Sequence, residues 1–136
     1  MVAVRREAGL EMTETPTDGL AAESFCYVTT TGRLTGSPHR IEIWFGMDGD
    51  TIYLLSGGGD RSDWVRNMVQ TPDVTVRIGK QTFGGRARIV SDPSEDRAAR
   101  TLVFAKYNPT YAGDLTTWRE TALPVAIQLF PAGTSF

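Results

Sequence analysis

His39–Asn67 reads HRIEIWFGMDGDTIYLLSGGGDRSDWVRN, and the periodicities inside it decide the fold. Ile41, Ile43 and Phe45 alternate with Arg40, Glu42 and Trp44, the period of a strand with one buried face. Asp48-Gly49 is a hairpin turn signal. Thr51–Ser56, TIYLLS, returns as a strand that is apolar almost throughout, so it is expected to be central and covered on both faces. After the glycines, Trp64, Val65, Met68 and Val69 recur at helical spacing, Asp60 or Ser62 is available as a cap, and Pro72 lies just beyond the end.

Working outward, the residues from Ser24 to the threonine triplet are strand formers, and Gly32, Gly36 and Pro38 punctuate the turn into the hairpin. Downstream, DVTVRIGKQTFGGRARIV predicts two strands around Gly79-Lys80, with a bulge or bend at Gly84-Gly85. Asp92-Pro93-Ser94-Glu95 supplies an N-cap, a first-turn proline and a Glu placed to bond back, opening a helix that runs to about Tyr107. A second short helix is expected from Asp114, carrying Leu115 and Trp118, and PVAIQLF closes the chain as a strand. Hairpins in series with few helices predict a mainly β protein with short helices (α+β), an antiparallel barrel rather than alternating β-α-β units. Residues 21–136 are read as that domain and residues 1–20 as a loose tail.

A chain of 136 residues, 40% hydrophobic and 22% charged, supports one domain with a real core. Its formal net charge of -2 gives no basis for nucleic-acid binding. Cys26 has no partner for an internal disulfide, no apolar run approaches the roughly 18 residues of a membrane span, and a soluble, cytoplasmic protein is expected. One histidine and one cysteine offer neither a metal cluster nor a nucleophile elbow. That poverty favours a reaction carried by a cofactor, with the protein binding and orienting it.

The bare loop Ser56–Gly59 matches neither a Rossmann fingerprint nor a P-loop. It retains a more general device: glycines admit a ligand close to the backbone, and the free N–H groups of the following helix attract an anion, with Arg61 and Arg66 beside them. The competing reading is a surface loop with solvated arginines. Arg33, His39 and Arg40 form a second basic cluster around the Gly32–Pro38 turn, or belong to a plain hairpin.

In order along the chain stand T-T-T-G-R-x-T-G-x-P from Thr29, the aromatic strand, S-G-G-G from Ser56, W-x-x-N from Trp64, P-D-V-x-V from Pro72 and the segment KYNPTYAGDLTTWRETALPVAI from Lys106. This order resembles the deazaflavin-dependent nitroreductase family of the flavin/deazaflavin oxidoreductases across about residues 25–130. The resemblance implies a split β-barrel that binds coenzyme F420, an anionic deazaflavin with a phosphate and an oligoglutamate tail. Ser56, Gly57, Gly58, Gly59, Ser62, Trp64 and Asn67 would line the cofactor site, with Arg33, His39, Arg40 and Arg61 as its basic contacts. Leu34 and His39 stand where the family often carries basic residues, and Arg61 is the local substitute for a lysine of the glycine segment.

The implied reaction is hydride transfer from reduced F420 to a small electron-poor acceptor such as an enone, quinone or nitroaromatic. Tyr107 and Tyr111 are the acceptor-side candidates, each able to donate a hydrogen bond or proton; amphipathic packing is the other role for them. Asn67 is expected to fix loop backbone, and Trp44 to floor the cleft or join a subunit contact. The alternatives to an F420 enzyme are an FMN- or heme-binding barrel and a non-catalytic module that carries a redox cofactor. A monomer and a homodimer paired through IEIWF are both compatible with the sequence.

Overall fold

The alternating segment that reads as one strand from Arg40 to Asp48 is two strands, and they lie on opposite edges of the same sheet. The computed structural model describes residues 19–130; residues 1–18 of the expected tail lie outside that range. The strands are β1 (Cys26–Thr31), β2 (Pro38–Ile43), β3 (Gly46–Asp48), β4 (Thr51–Ser56), β5 (Asp73–Ile78), β6 (Gln81–Ile89) and β7 (Leu123–Phe130), with helices α1 (Asp63–Gln70), α2 (Pro93–Tyr107) and α3 (Thr116–Thr121). They form one seven-stranded sheet in the order β2-β1-β5-β6-β7-β4-β3, antiparallel at every junction. Trp44 and Phe45 therefore join the two edges, so the curled sheet closes through chain continuity where no ladder exists. This is the antiparallel split barrel expected from the sequence.

Alternation along the strands sorts side chains into two cores. Val28, Ile52, Leu54, Val76, Ile78, Val125 and Ile127 fill the inside of the curl, plugged by Val65 and Met68 of α1. Tyr53, Leu55 and Ala126 face outward beneath Ala99, Val103 and Tyr107 of α2 and Leu115, just before α3. β4 is thus covered on both faces, as its apolar run predicts. Burying Val65 and Met68 contributes about 1.5–3 kcal/mol each. A helix as short as α1 would not hold in isolation, so this packing fixes where its N-terminus sits. Val69, expected on the same stripe, is 57% exposed because the stripe is narrower than the spacing suggests.

No bulge occurs at Gly84-Gly85. The pairings Asp73↔Arg86 to Ile78↔Gln81 and Gly84↔Phe130 to Ile89↔Val125 run without a slip. Glycine is required at 85 for another reason: a Cβ there would lie 2.7 Å from Ile127 Cγ2.

Asp92 caps α2, accepting from the Glu95 amide at 2.9 Å. The Glu95 carboxylate does not bond back as the capping box would have it. It takes Arg88 of β6 at 2.8 and 2.7 Å and the Tyr53 hydroxyl of β4 at 2.8 Å, clamping the helix start to the sheet. Arg88, with Tyr53 next, holds this carboxyl down to about 2, from an ordinary 4.5. A depressed folded-state value means stability that is present above the unfolded value and lost as pH falls from about 4.5 to about 2. Glu95→Gln should flatten that acid limb of a melting-temperature profile, by about 1 kcal/mol or less for so accessible a pair.

Candidate functional site

A cleft of about 540 Å3 opens where the end of β4, the start of α1 and the loop before α3 meet the end of β2. β4 delivers Ser56 to its wall. The Ser56 hydroxyl donates to the Gly59 carbonyl at 3.0 Å and pairs with the Ser62 hydroxyl at 2.9 Å, folding the glycine loop back on itself. Gly58 allows this approach, since a Cβ there would lie 2.5 Å from Ser62 Oγ. Ser62 holds the N-cap position of α1, but its side chain caps nothing. The first-turn amides of Asp63, Trp64 and Val65 therefore have no acceptor from the helix ladder or from a Ser62 cap.

The cleft walls are aromatic. Trp44, Trp64 and Trp118 all line it, with Tyr111. The Trp44 ring meets Tyr111 and Trp118 edge-on, each at 5.7 Å. Its other side is stacked on Tyr107 at 4.2 Å with the planes 4° apart. Trp44 thus lines the cleft with a fixed backing behind it. Glu42, which alternates onto the same side as Trp44, and Asp114 add two carboxylates. Neither was a candidate from the sequence, although the i, i+2 spacing of Glu42 and Trp44 carried the signal.

The two candidate tyrosines separate. Tyr107 is 8% exposed and its hydroxyl faces away from the cleft. That oxygen accepts from the Phe45 amide at 3.1 Å and donates to the Ser24 carbonyl at 2.8 Å, with the Phe45 carbonyl at 3.2 Å also in reach. Lys106 Nζ donates to the same Phe45 carbonyl at 3.0 Å. Phe45 is fully buried between two unpaired strand edges, so its backbone groups need partners. Tyr107 and Lys106 supply what a strand would. Burial pushes the Tyr107 phenol up to about 12 and the Lys106 ammonium down to about 8. Tyr107 thus lies behind Trp44 and outside the cleft lining, whereas Tyr111 is 47% exposed and lines the cleft.

A second, smaller hollow of about 200 Å3 lies on the other side of the α1 start, lined by Arg33, His39 and Asn67 among others. Asn67, 2% exposed, spends its amide inside the protein. Its Oδ1 accepts from the Arg33 amide at 3.1 Å and Arg33 Nη1 at 2.9 Å, and its Nδ2 donates to Thr30 Oγ1 at 3.1 Å. It does fix loop backbone, but that of the β1–β2 turn rather than of the glycines. Arg33 also pairs with Asp63 at 3.1 Å. Arg40 points to the face of β2 opposite His39, the face that also carries Glu42, and its guanidinium lies 4.0 Å over the Tyr27 ring. Arg61 is exposed at the end of the glycine turn.

Residues 4–129 match the F420H(2)-dependent quinone reductase family. The chain belongs to this family. It is therefore an F420-dependent oxidoreductase. An F420H(2)-dependent quinone reductase of Mycobacterium tuberculosis is 27% identical over 101 residues, covering 72% of this reductase and 68% of that protein. Solved structures share the fold: a conserved hypothetical protein of Mycobacterium tuberculosis (TM-score 0.65, 18% identity, 90% and 82% of the two chains) and a heme storage protein of Vibrio cholerae (TM-score 0.67, 14% identity, 85% and 88%). An F420 reductase superposes with TM-score 0.62 at 13% identity, over 88% of this chain and 97% of that one.

The reductase's own residues fit its cofactor. A planar deazaflavin suits the side of the cleft bounded by Ser56, Gly57, Ser62 and the Trp64 indole, and anionic groups suit the uncapped start of α1 with Arg33 and His39 beside it. Among the described residues no helix is long and apolar enough to cross a membrane.

Proposed function

We propose that the reductase reduces a quinone held in the aromatic cleft, using F420 seated along Ser56–Gly59 and the start of α1. The observation that carries this reading is the stack Tyr107–Trp44 with Tyr111 and Trp118 set edge-on to it: a rigid slot for a flat, electron-poor ring beside free backbone amides. Bound reduced F420 supplies the hydride, and a proton taken up at the quinone oxygen completes the hydroquinone.

Ser56, Gly57, Ser62 and Trp64 bound the ring end of the cofactor, with the Gly58 and Gly59 backbone and Arg61 on the outer lip. Arg33 and His39 receive its anionic end, with Asn67 positioning Arg33. Arg40 stays outside this site. Tyr111 donates a hydrogen bond to a quinone oxygen, and its hydroxyl has no partner among the described residues to compete for it. Held this way, the rings react through proximity and alignment rather than through a protein nucleophile.

The test is oxidation of reduced F420 by menadione, followed by recovery of F420 fluorescence, alongside titrations with F420 and with FMN. Turnover with F420 affinity is expected; tight FMN binding with no F420 response overturns the reading. Gly57→Val supplies a structural check. A Cβ at Gly57 meets only Trp118 Cδ1 and Nε1, at 3.8 and 3.9 Å, so the backbone accepts it while the branched side chain fills the slot. Menadione turnover should fall at least about tenfold through lost alignment, with the melting temperature nearly unchanged.

A further inference from the structure

All three tryptophans of the chain line one cleft, and among the described residues the charged side chains that line it are both carboxylates, Glu42 and Asp114. We propose that this cleft selects positively charged aromatic acceptors, such as quinones bearing a quaternary ammonium or N-alkylpyridinium-type rings, over neutral and anionic ones of the same shape. The proposal rests on the reading of this cleft as the acceptor site and adds the charge class of the acceptor.

Indole faces attract cations through their quadrupole, more strongly than phenol or phenyl rings do. Trp44, Trp118 and Tyr111 set their rings at right angles around one volume, so a cation can be drawn to an indole or phenol face there, the edges carrying the opposite end of the quadrupole. The carboxylates add a monopole of the same preference. Thr116, through its hydroxyl and its amide, holds the Asp114 carboxyl below its ordinary range, so it stays ionised.

Among the described residues the neighbouring cations do not line the cleft. Arg33 is tied to Asp63 and Asn67 in the smaller hollow, Lys106 lies 3.7 Å from the Phe45 ring centroid, bound to the Phe45 carbonyl, and Arg40, on the same β2 face as Glu42, is held over the Tyr27 ring. The site is consequently polarised. Its basic lobe suits the anionic end of the cofactor, and its acidic aromatic lobe suits an acceptor of opposite charge. An anionic acceptor would face two carboxylates without a compensating cation among the lining residues.

The test needs no cofactor for its first arm. Because every tryptophan lines the cleft, intrinsic fluorescence reports its occupancy, and the apo-protein can be titrated with N-methylquinolinium, neutral quinoline and a quinoline sulfonate. The cation should bind about tenfold more tightly than the neutral ring, and the sulfonate more weakly still. The preference should shrink with added salt. Glu42→Gln with Asp114→Asn should cut the cation's advantage to about twofold or threefold, the part that the aromatic rings alone provide. The second arm compares kcat/KM for naphthoquinones carrying a trimethylammonium or a sulfonate group, with menadione as the neutral reference.

Equal affinities for the three quinolines, or a preference that survives the double substitution intact, overturns the inference. Menadione turnover with no charge preference removes it while leaving quinone reduction standing. Saturable, carboxylate-dependent quinolinium binding without turnover of any quinone supports cation selection by the cleft and removes the quinone reading instead.

Discussion

Tyr107→Phe is expected to lower the protein's stability by about 2 kcal/mol while leaving the rate of quinone reduction essentially unchanged. The hydroxyl accepts the Phe45 amide and donates to the Ser24 carbonyl, both in the region where the sheet is split. Removing it leaves the Phe45 N–H buried without an acceptor, and the full desolvation penalty of an unmade bond is larger than the net value of a made one. For a domain of this size that corresponds to a fall of roughly 8–10 °C in melting temperature. The ring remains, so its stack on Trp44 and the floor of the cleft survive. A phenol acting as the proton donor would give the opposite pattern, a rate lower by about 100-fold or more with little change in stability. Thermal unfolding and menadione kinetics on the same preparation decide between them.

Asn67→Ala removes three hydrogen bonds from a side chain that is 2% exposed, and should destabilise by about 2–3 kcal/mol. The loss has a functional component as well. Asn67 ties the β1–β2 turn to α1 and aims the Arg33 guanidinium, which otherwise keeps only its exposed pairing with Asp63 and is free to swing outward. F420 affinity should therefore fall about tenfold if one charge-assisted contact is lost. Asn67→Asp keeps the acceptor for Arg33 and gives up the donor to Thr30. It should recover much of the cofactor affinity while still melting early. Denaturant unfolding and F420 titration of the two variants separate the roles: equal affinities for Asn67→Ala and the parent would take Arg33 out of the cofactor site.

What the amino-acid order settles by itself is local. Strand alternation from Ile41, the doubly apolar TIYLLS, the Asp92 cap and the helical spacing of Val65 and Met68 each depend on neighbours a few residues away, and all appear in the structure. The order of the T-G-R, S-G-G-G and W-x-x-N motifs likewise carried the cofactor family, because those loops must present backbone at fixed places. The charges at the cleft were only half legible, since Glu42 shares a strand face with Trp44 but Asp114 reaches the same cavity from seventy-two residues away in the chain.

Tertiary structure alone decided the rest. Ile41 to Asp48 carries the alternation of one strand, yet its halves pair with β1 and β4 on opposite edges of the sheet, because curling brings those edges together and Trp44-Phe45 must bridge them. Alternation records which way side chains point, not which strand supplies the hydrogen bonds. With none supplied at Phe45, its buried backbone recruits Lys106 and Tyr107 from 61 and 62 residues away in the chain, a demand, invisible locally, that makes Tyr107 the clasp of the barrel.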